Sequence, residues 1–130
     1  MVSRPSGVVA TLAVRQVYPE RIMKILITGA GGMLGTDLAH RLSPKHELVG
    51  VGRKPAPHLQ IAYHQLNLSE TKPVSDLVRS EKPAILLHAA AMTEVDHCES
   101  DRAGALRENL EATRNIVDAA ARVNALVIFF

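Results

Sequence analysis

The chain has 130 residues, of which 47% are apolar and 3% aromatic, with a formal net charge of +2 at pH 7. This length predicts one domain with an ordinary buried core. Residues 24–130 carry twelve basic and twelve acidic side chains. A neutral domain with so few aromatic side chains argues against a nucleic-acid binder.

The first 22 residues differ from the rest of the chain. An apolar run over residues 7–14 is short and lies between Arg4 and Arg15. A secretory signal is one interpretation, but no clear small-residue cleavage site follows this run. Met23 lies directly before the first predicted strand. We therefore expect residues 1–22 to be a disordered extension or an upstream start, and residues 23–130 to form the domain.

Strands and helices alternate along the domain. Apolar runs predict strands over residues 25–27, 48–51, 61–66, 84–87 and 126–130. Helices are predicted from residue 33 to 42, from residue 69 until Lys82 and Pro83 break the helix, and over a longer segment. The three- and four-residue spacing of that segment includes Ala103, Leu106, Leu110, Thr113, Val117 and Ala120. This alternation predicts an α/β fold, a doubly wound parallel sheet of the Rossmann type with right-handed crossovers, which ends after its fifth strand.

The first strand runs directly into a glycine-rich turn. Gly29, Gly32 and Gly35 follow it at intervals of three, and Met33 and Leu34 begin a helical stripe. Strand, glycine turn and helix in this order predict a pyrophosphate site of a dinucleotide, in which backbone N–H groups and the helix dipole face the anion. A purely structural turn is the alternative. A Walker-type loop is disfavoured because no lysine follows Gly35, and the strict Gly-x-Gly-x-x-Gly spacing fails at Leu34.

The end of the second strand bears on the choice of cofactor. An acidic residue there favours NAD because it accepts hydrogen bonds from the ribose. This chain has Arg53 and Lys54 instead, two cations where a 2′-phosphate would lie. We therefore expect NADP, with NAD as the alternative. A solvated basic loop without a ligand, followed by a flexible segment over residues 54–57, is the other interpretation of these two cations.

Metal, membrane and disulfide signals are weak. His97 and Cys98 are neighbours, and adjacent residues rarely converge on one ion, so no metal is expected. No run approaches the roughly 20 apolar residues that cross a bilayer, so no membrane partner is expected. Cys98 is the single cysteine, which excludes an internal disulfide and fits the cytoplasm.

Several segments together resemble one family. Residues 28–35 (Thr-Gly-Ala-Gly-Gly-Met-Leu-Gly), 66–69 (Leu-Asn-Leu-Ser) and 88–96 (His-Ala-Ala-Ala-Met-Thr-Glu-Val-Asp) are similar, in this order, to dTDP-4-dehydrorhamnose reductases, which are extended short-chain dehydrogenases. Glu99, Ser100, Asn109 and residues 113–115 support the same alignment. The resemblance spans residues 23–130.

The resemblance implies roles for individual residues. Gly32, Met33 and Leu34 would contact the pyrophosphate, and Asn67 with Leu68 would border the adenine. Ala89, Ala90 and Ala91 would let the chain pass beside the cofactor. The family usually has Asp where Asn67 stands and Asn where His88 stands, and for His88 we expect a buried structural role.

The family's catalytic pair is missing from these residues. Members reduce a 4-keto sugar nucleotide with a Tyr-x-x-x-Lys pair, whose tyrosine acts as general acid. Here Tyr18 and Tyr63 are followed four residues later by Ile22 and Asn67. We therefore name no catalytic residue and expect this chain by itself to transfer no hydride.

Two functions remain open at this point. One is the cofactor-binding portion of an NADPH-dependent sugar-nucleotide reductase for dTDP-L-rhamnose synthesis, with the sugar nucleotide bound only in a full-length form. The other is a non-catalytic dinucleotide-binding or interaction module. The apolar last strand favours aggregation or a partner over a stable monomer, the partner being a second copy or a missing C-terminal half.

Overall fold

The computed structural model describes residues 21–90 and 102–130. In chain order the elements are β1 (Lys24–Thr28), α1 (Met33–Leu42), β2 (Glu47–Gly52), β3 (Ala62–Gln65), α2 (Thr71–Glu81), β4 (Ile85–His88), α3 (Arg102–Arg122) and β5 (Leu126–Phe129). Each predicted strand and helix is therefore present, although β3 is shorter than expected and α2 begins later, and α2 ends directly before Lys82 as predicted.

The five strands form one parallel sheet in the order β3-β2-β1-β4-β5. The chain builds outward from β1 to β3 on one side and then returns to place β4 on the other side of β1. This reversal creates a switch point between β1 and β4, where ligands bind in open parallel sheets, beyond the carboxyl ends of the strands. The predicted doubly wound Rossmann-type sheet is confirmed.

The core has two layers because β1 is buried on both faces. Ile25 and Ile27 face a cluster that includes Ala39 of α1, whereas Leu26 faces a second cluster that includes Val74 of α2 and Ile116 of α3. All six side chains are at most 3% exposed. The continuous apolar run of β1 is thus explained by helices on both sides of the sheet.

The face of α3 that packs against the domain is not the face that carries its most apolar residues. Leu106, Leu110 and Val117 are 66%, 59% and 41% exposed. The buried residues of this helix are Ala105, Asn115, Ile116, Ala119 and Ala120. Small side chains allow α3 to approach the sheet and α2 closely, so packing geometry decides the orientation of the helix more strongly than side-chain hydrophobicity does.

The helices α1, α2 and α3 are too short or too polar to cross a bilayer, and no other candidate span occurs among residues 21–90 and 102–130. The predicted extension over residues 1–22 lies outside the described residues, apart from Arg21 and Ile22.

Candidate functional site

The turn between β1 and α1 brings the predicted glycines to the carboxyl edge of the sheet. Gly29 has a φ of 67°, a conformation that side chains with a Cβ atom rarely adopt. Its N–H donates to the Val51 carbonyl at 2.8 Å, and its carbonyl accepts the Gly32 N–H at 3.0 Å. The turn is thus anchored to β2 while it reverses the chain into α1.

Gly29 and Gly35 are required by the protein's own packing. A Cβ atom at Gly29 would lie 2.8 Å from the backbone of Ala90, and one at Gly35 would overlap the Gly29 carbonyl. Gly29 lets the segment after β4 lie directly against the turn, and Gly35 lets the start of α1 do so. Substitution of either would push backbone against backbone, which a packed interior accommodates poorly.

The third glycine has no such explanation within the described residues. Gly32 has φ −77° and ψ 180°, which any residue can adopt. A Cβ atom there would meet the Gly29 carbonyl at 3.4 Å and nothing closer. Gly32 is exposed. Apart from this carbonyl, no described residue borders the position of the missing side chain, and we call this position the open space in front of α1.

The N-terminus of α1 faces this open space with its donors available. No side chain caps the helix at Gly32, and the first turn contains no acidic residue. The first N–H groups of a helix have no acceptor within it, and the helix dipole places partial positive charge there. Met33 and Leu34 are 93% and 43% exposed. This arrangement suits an anion such as a pyrophosphate.

A buried hydrogen-bond network joins β1 to β4 beside the turn. Thr28 Oγ1 accepts the Ala90 N–H at 3.2 Å and lies 2.8 Å from Nδ1 of His88. The hydroxyl can then donate to Nδ1, which leaves the ring proton on Nε2, 3.3 Å from Thr113 Oγ1 of α3. His88 is 7% exposed, its ring meets Phe129 edge-on, and burial lowers its pKa. His88 is a buried structural residue, as expected.

The predicted alanines continue from this network. Ala89 donates its N–H to the Thr28 carbonyl at 3.2 Å, so residues 89 and 90 run beside the glycine turn. Both residues are partly exposed at the same edge of the sheet. Ala91 lies outside the described residues.

The basic segment after β2 is held in place by side chains of β3. Gln65 Nε2 donates to the Arg53 carbonyl at 3.0 Å, and the Tyr63 hydroxyl donates to the Lys54 carbonyl at 2.6 Å. Burial raises the pKa of Tyr63, which keeps this hydroxyl a donor. The side chains of Arg53 and Lys54 are exposed. Arg53 Nη2 lies 3.2 Å from Glu108 Oε1 of α3, an ion pair that the sequence did not predict.

The segment that follows, which the alternative interpretation treats as flexible over residues 54–57, is anchored to the core at Ala56. Ala56 and Leu59 are 7% and 9% exposed and belong to the cluster that contains Ile27. Ala56 also lies over the glycine turn, since a Cβ atom at Gly31 would approach its methyl group at 3.2 Å. The prolines at positions 55 and 57 mark a turn, which is closed by apolar packing and by the bond from the Leu59 N–H to the Ala56 carbonyl.

Asn67 and Leu68 follow β3 at the same edge of the sheet. The Asn67 Oδ1 accepts the N–H and the hydroxyl of Ser69, at 3.0 and 2.8 Å, which shapes the turn into α2. Leu68 is 8% exposed, and its carbonyl accepts a bond from Asn115 Nδ2 at 2.9 Å. The side chain of Leu68 therefore packs in the core, and only the backbone of this residue is left to contact a ligand.

The structure thus places all the described site residues at the carboxyl edge of the sheet. These residues are Gly29, Gly32, Met33, Leu34, Gly35, Arg53, Lys54, Asn67, Leu68, Ala89 and Ala90. Sequence reasoning missed Thr28, Tyr63, Gln65 and Glu108. The period-2 spacing of Tyr63 and Gln65 is a signal that both point to one face of β3, whereas no local pattern places Glu108 beside Arg53.

Metal binding has no support from the part of the chain that the structure describes, where no three His, Cys, Asp or Glu side chains group together. His97 and Cys98 are outside that part.

Comparisons with known proteins agree with this architecture. Residues 23–130 match the model of the RmlD substrate binding domain. The chain is 34% identical over 108 residues to a dTDP-4-dehydrorhamnose reductase of Burkholderia thailandensis, which covers 83% of the chain and 33% of that protein. The crystal structure of a hypothetical dTDP-4-dehydrorhamnose reductase from Sulfolobus tokodaii superimposes with a TM-score of 0.73 at 34% identity, over 82% of the chain and 38% of that structure.

A further relative has a different name. The chain is 31% identical over 108 residues to methionine adenosyltransferase 2 subunit beta of Rattus norvegicus, covering 82% of the chain and 31% of that protein. The chain therefore spans about a third of the length of the relatives it matches. The resemblance to dTDP-4-dehydrorhamnose reductases is confirmed.

The buried His88 predicts a pH dependence of stability. Because its pKa is lower in the folded chain than in the unfolded chain, the unfolded chain binds more protons, and the free energy of unfolding rises with pH. This contribution is complete above the ordinary histidine pKa of about 6.5 and is lost as the pH falls toward the folded-state pKa. His88→Asn should make the slope between pH 7 and 5 shallower, by at most about 1.4 kcal/mol per pH unit. Urea unfolding at several pH values measures it.

The matched control is His40→Asn, since His40 is exposed on α1. The control should keep the slope of the parent chain. Equal slopes in the parent chain and His88→Asn would contradict the account of the network.

Proposed function

This chain belongs to the RmlD substrate binding domain family, and we propose that it binds the dinucleotide of an NADP-dependent oxidoreductase that reduces a 4-keto sugar nucleotide. The observation that carries the proposal is the open space at Gly32, in front of the uncapped N-terminus of α1. Neither the backbone angles nor the neighbours of Gly32 require a glycine. A pyrophosphate against the backbone would require one.

The site residues fit such a group. Gly32, Met33, Leu34 and Gly35 would hold the pyrophosphate through backbone N–H groups. Asn67 and the backbone of Leu68 would border the adenine, and Ala89, Ala90 and Ala91 would run beside the nicotinamide half. When bound, the nicotinamide supplies the hydride. Because β1 and β4 are tied together by Thr28 and His88, the two sides of this site are held at a fixed distance.

The preference for NADP rests on Arg53 and Lys54, which follow β2 where the adenosine ribose lies in this fold. Gln65 and Tyr63 fix the backbone of both residues, so the two cations project from a defined position. An arginine offers a planar, paired donor set to a phosphate. NAD is the alternative, because Glu108 also lies at this position.

The sugar-nucleotide substrate is proposed from the names of the relatives alone, dTDP-4-dehydrorhamnose being the one that several of them share. Neither tyrosine of the chain has a lysine four residues later. The proposal therefore assigns cofactor binding to this chain and no hydride transfer to the chain acting alone. It places the protein in the cytoplasm, consistent with a single cysteine.

Arg53→Ala tests the choice of cofactor. Loss of a charge-assisted hydrogen bond, about 1.5–3 kcal/mol, should weaken NADPH binding by about 10- to 150-fold. NADH binding should change little, since NADH has no 2′-phosphate. Fluorescence titration of both nucleotides measures the ratio, and Arg79→Ala, an exposed arginine on α2, is the control. An unchanged ratio would refute the preference for NADP.

A second candidate is a non-catalytic module that binds a dinucleotide or a partner chain. Two observations favour it: one relative is named as the subunit beta of an enzyme, and Leu126, Phe129 and Phe130 are 60%, 51% and 61% exposed on β5 or just after it. Such a surface suits a second copy or a C-terminal half of the protein.

The two candidates differ in the fate of bound NADPH. As part of a full-length reductase, the first candidate should oxidise NADPH in the presence of a dTDP-linked 4-keto sugar, whereas the second should not. The absorbance of NADPH follows the reaction. The 130-residue chain alone is the control and should show no turnover, so oxidation of NADPH by this chain would contradict the assignment.

A further inference from the structure

The geometry points to Glu108 as a specificity-determining residue, one that limits the preference for NADP by competing with the 2′-phosphate for Arg53. This inference rests on the proposed function, because it concerns the same dinucleotide site. It identifies a residue that lies 55 positions from Arg53 in the sequence and is adjacent to it in the fold.

The contact joins two elements that the topology brings together at the carboxyl edge of the sheet. Arg53 directly follows β2, and Glu108 lies in the second turn of α3. The distance from Arg53 Nη2 to Glu108 Oε1 is 3.2 Å. The side chains are 54% and 39% exposed, so the pair lies at the surface and a ligand can reach it.

The backbone beneath Arg53 is fixed, so its guanidinium can change partner only by a side-chain movement. Gln65 Nε2 donates to the Arg53 carbonyl, and the Leu66 N–H donates to the Gly52 carbonyl at 3.0 Å. A ligand phosphate that engages Arg53 must therefore draw the guanidinium from Glu108 or bind beside the carboxylate. Either arrangement is less favourable than binding to an arginine without an acidic partner.

The two nucleotides respond to a carboxylate in opposite ways. A 2′-phosphate is an anion and is repelled by Glu108 once Arg53 turns away. A 2′-hydroxyl can donate a hydrogen bond to a carboxylate, which is how an acidic residue favours NAD in this fold. Arg53 thus favours NADP and Glu108 favours NAD, and the preference of the chain is set by the pair.

The energetics allow this exchange. Exposed ion pairs contribute little, because water screens them and long side chains lose freedom. A phosphate binds an arginine with two parallel hydrogen bonds and is the stronger partner. The Arg53–Glu108 ion pair should therefore break when NADPH binds. The free energy of NADPH binding should then show a small coupling between positions 53 and 108.

A double-mutant cycle on the 130-residue chain tests the inference by direct binding, with NADPH and NADH as the probes. Glu108→Gln should raise the affinity for NADPH by about two- to fivefold, the factor that corresponds to an exposed ion pair. The affinity for NADH should stay equal or fall. The loss of NADPH affinity caused by Arg53→Ala should be larger in the Glu108→Gln background than in the parent chain, by less than about fivefold, because removal of Arg53 ends the competition with Glu108 but not its repulsion of the phosphate.

The control is Asp118→Asn, an exposed acidic residue on α3 with the same change of charge and ten positions further along the helix. It should leave the ratio of the two affinities unchanged. An unchanged ratio in Glu108→Gln, or additive effects in the cycle, would overturn the role of Glu108 while the proposed function stands. Failure of the parent chain to bind either nucleotide would overturn both.

Discussion

The close contact between Gly35 and the Gly29 carbonyl is the constraint on which the site depends. It lets α1 begin directly against the end of β1, because no side chain separates them. The helix then directs its first N–H groups past the carboxyl edge of the sheet, toward the position where β4 ends. Without this approach, the apolar face of α1 could still cover Ile25 and Ile27, but its N-terminus would not border the switch point.

A second constraint holds the other side of the site. Thr28 connects β1 to β4 through His88 and through the N–H of Ala90. Gly29 in turn has no room for a side chain because Ala90 lies against it. The turn after β1 and the segment after β4 are therefore packed directly against each other, whereas none of the residues described in the structure fills the space at Gly32.

Local patterns were sufficient to predict most of the fold. The buried run of β1, the glycine turn and the alternation of elements are set by residues close in sequence, so the parallel sheet and its five strands could be predicted. The orientation of α3 could not be predicted from the sequence. The shape of the space between α2 and β4 determines that Ile116 and the alanines beside it face the core. The pairing of Arg53 with Glu108 could not be predicted either, since it depends on how α3 crosses the sheet edge. The positions of the three glycines could be predicted from their spacing after β1, whereas the contact of Gly29 with Ala90 appears only in the folded chain.

The central claim is that a bound ligand, and not the fold, requires a glycine at position 32. Fluorescence titration of Gly32→Ala with NADPH, beside denaturant unfolding of the same variant, tests it most directly. The account predicts a free energy of unfolding within about 1 kcal/mol of the parent chain and an NADPH affinity at least about tenfold lower, because the added methyl group occupies the space that a pyrophosphate needs. A variant that binds NADPH as tightly as the parent chain would contradict the account.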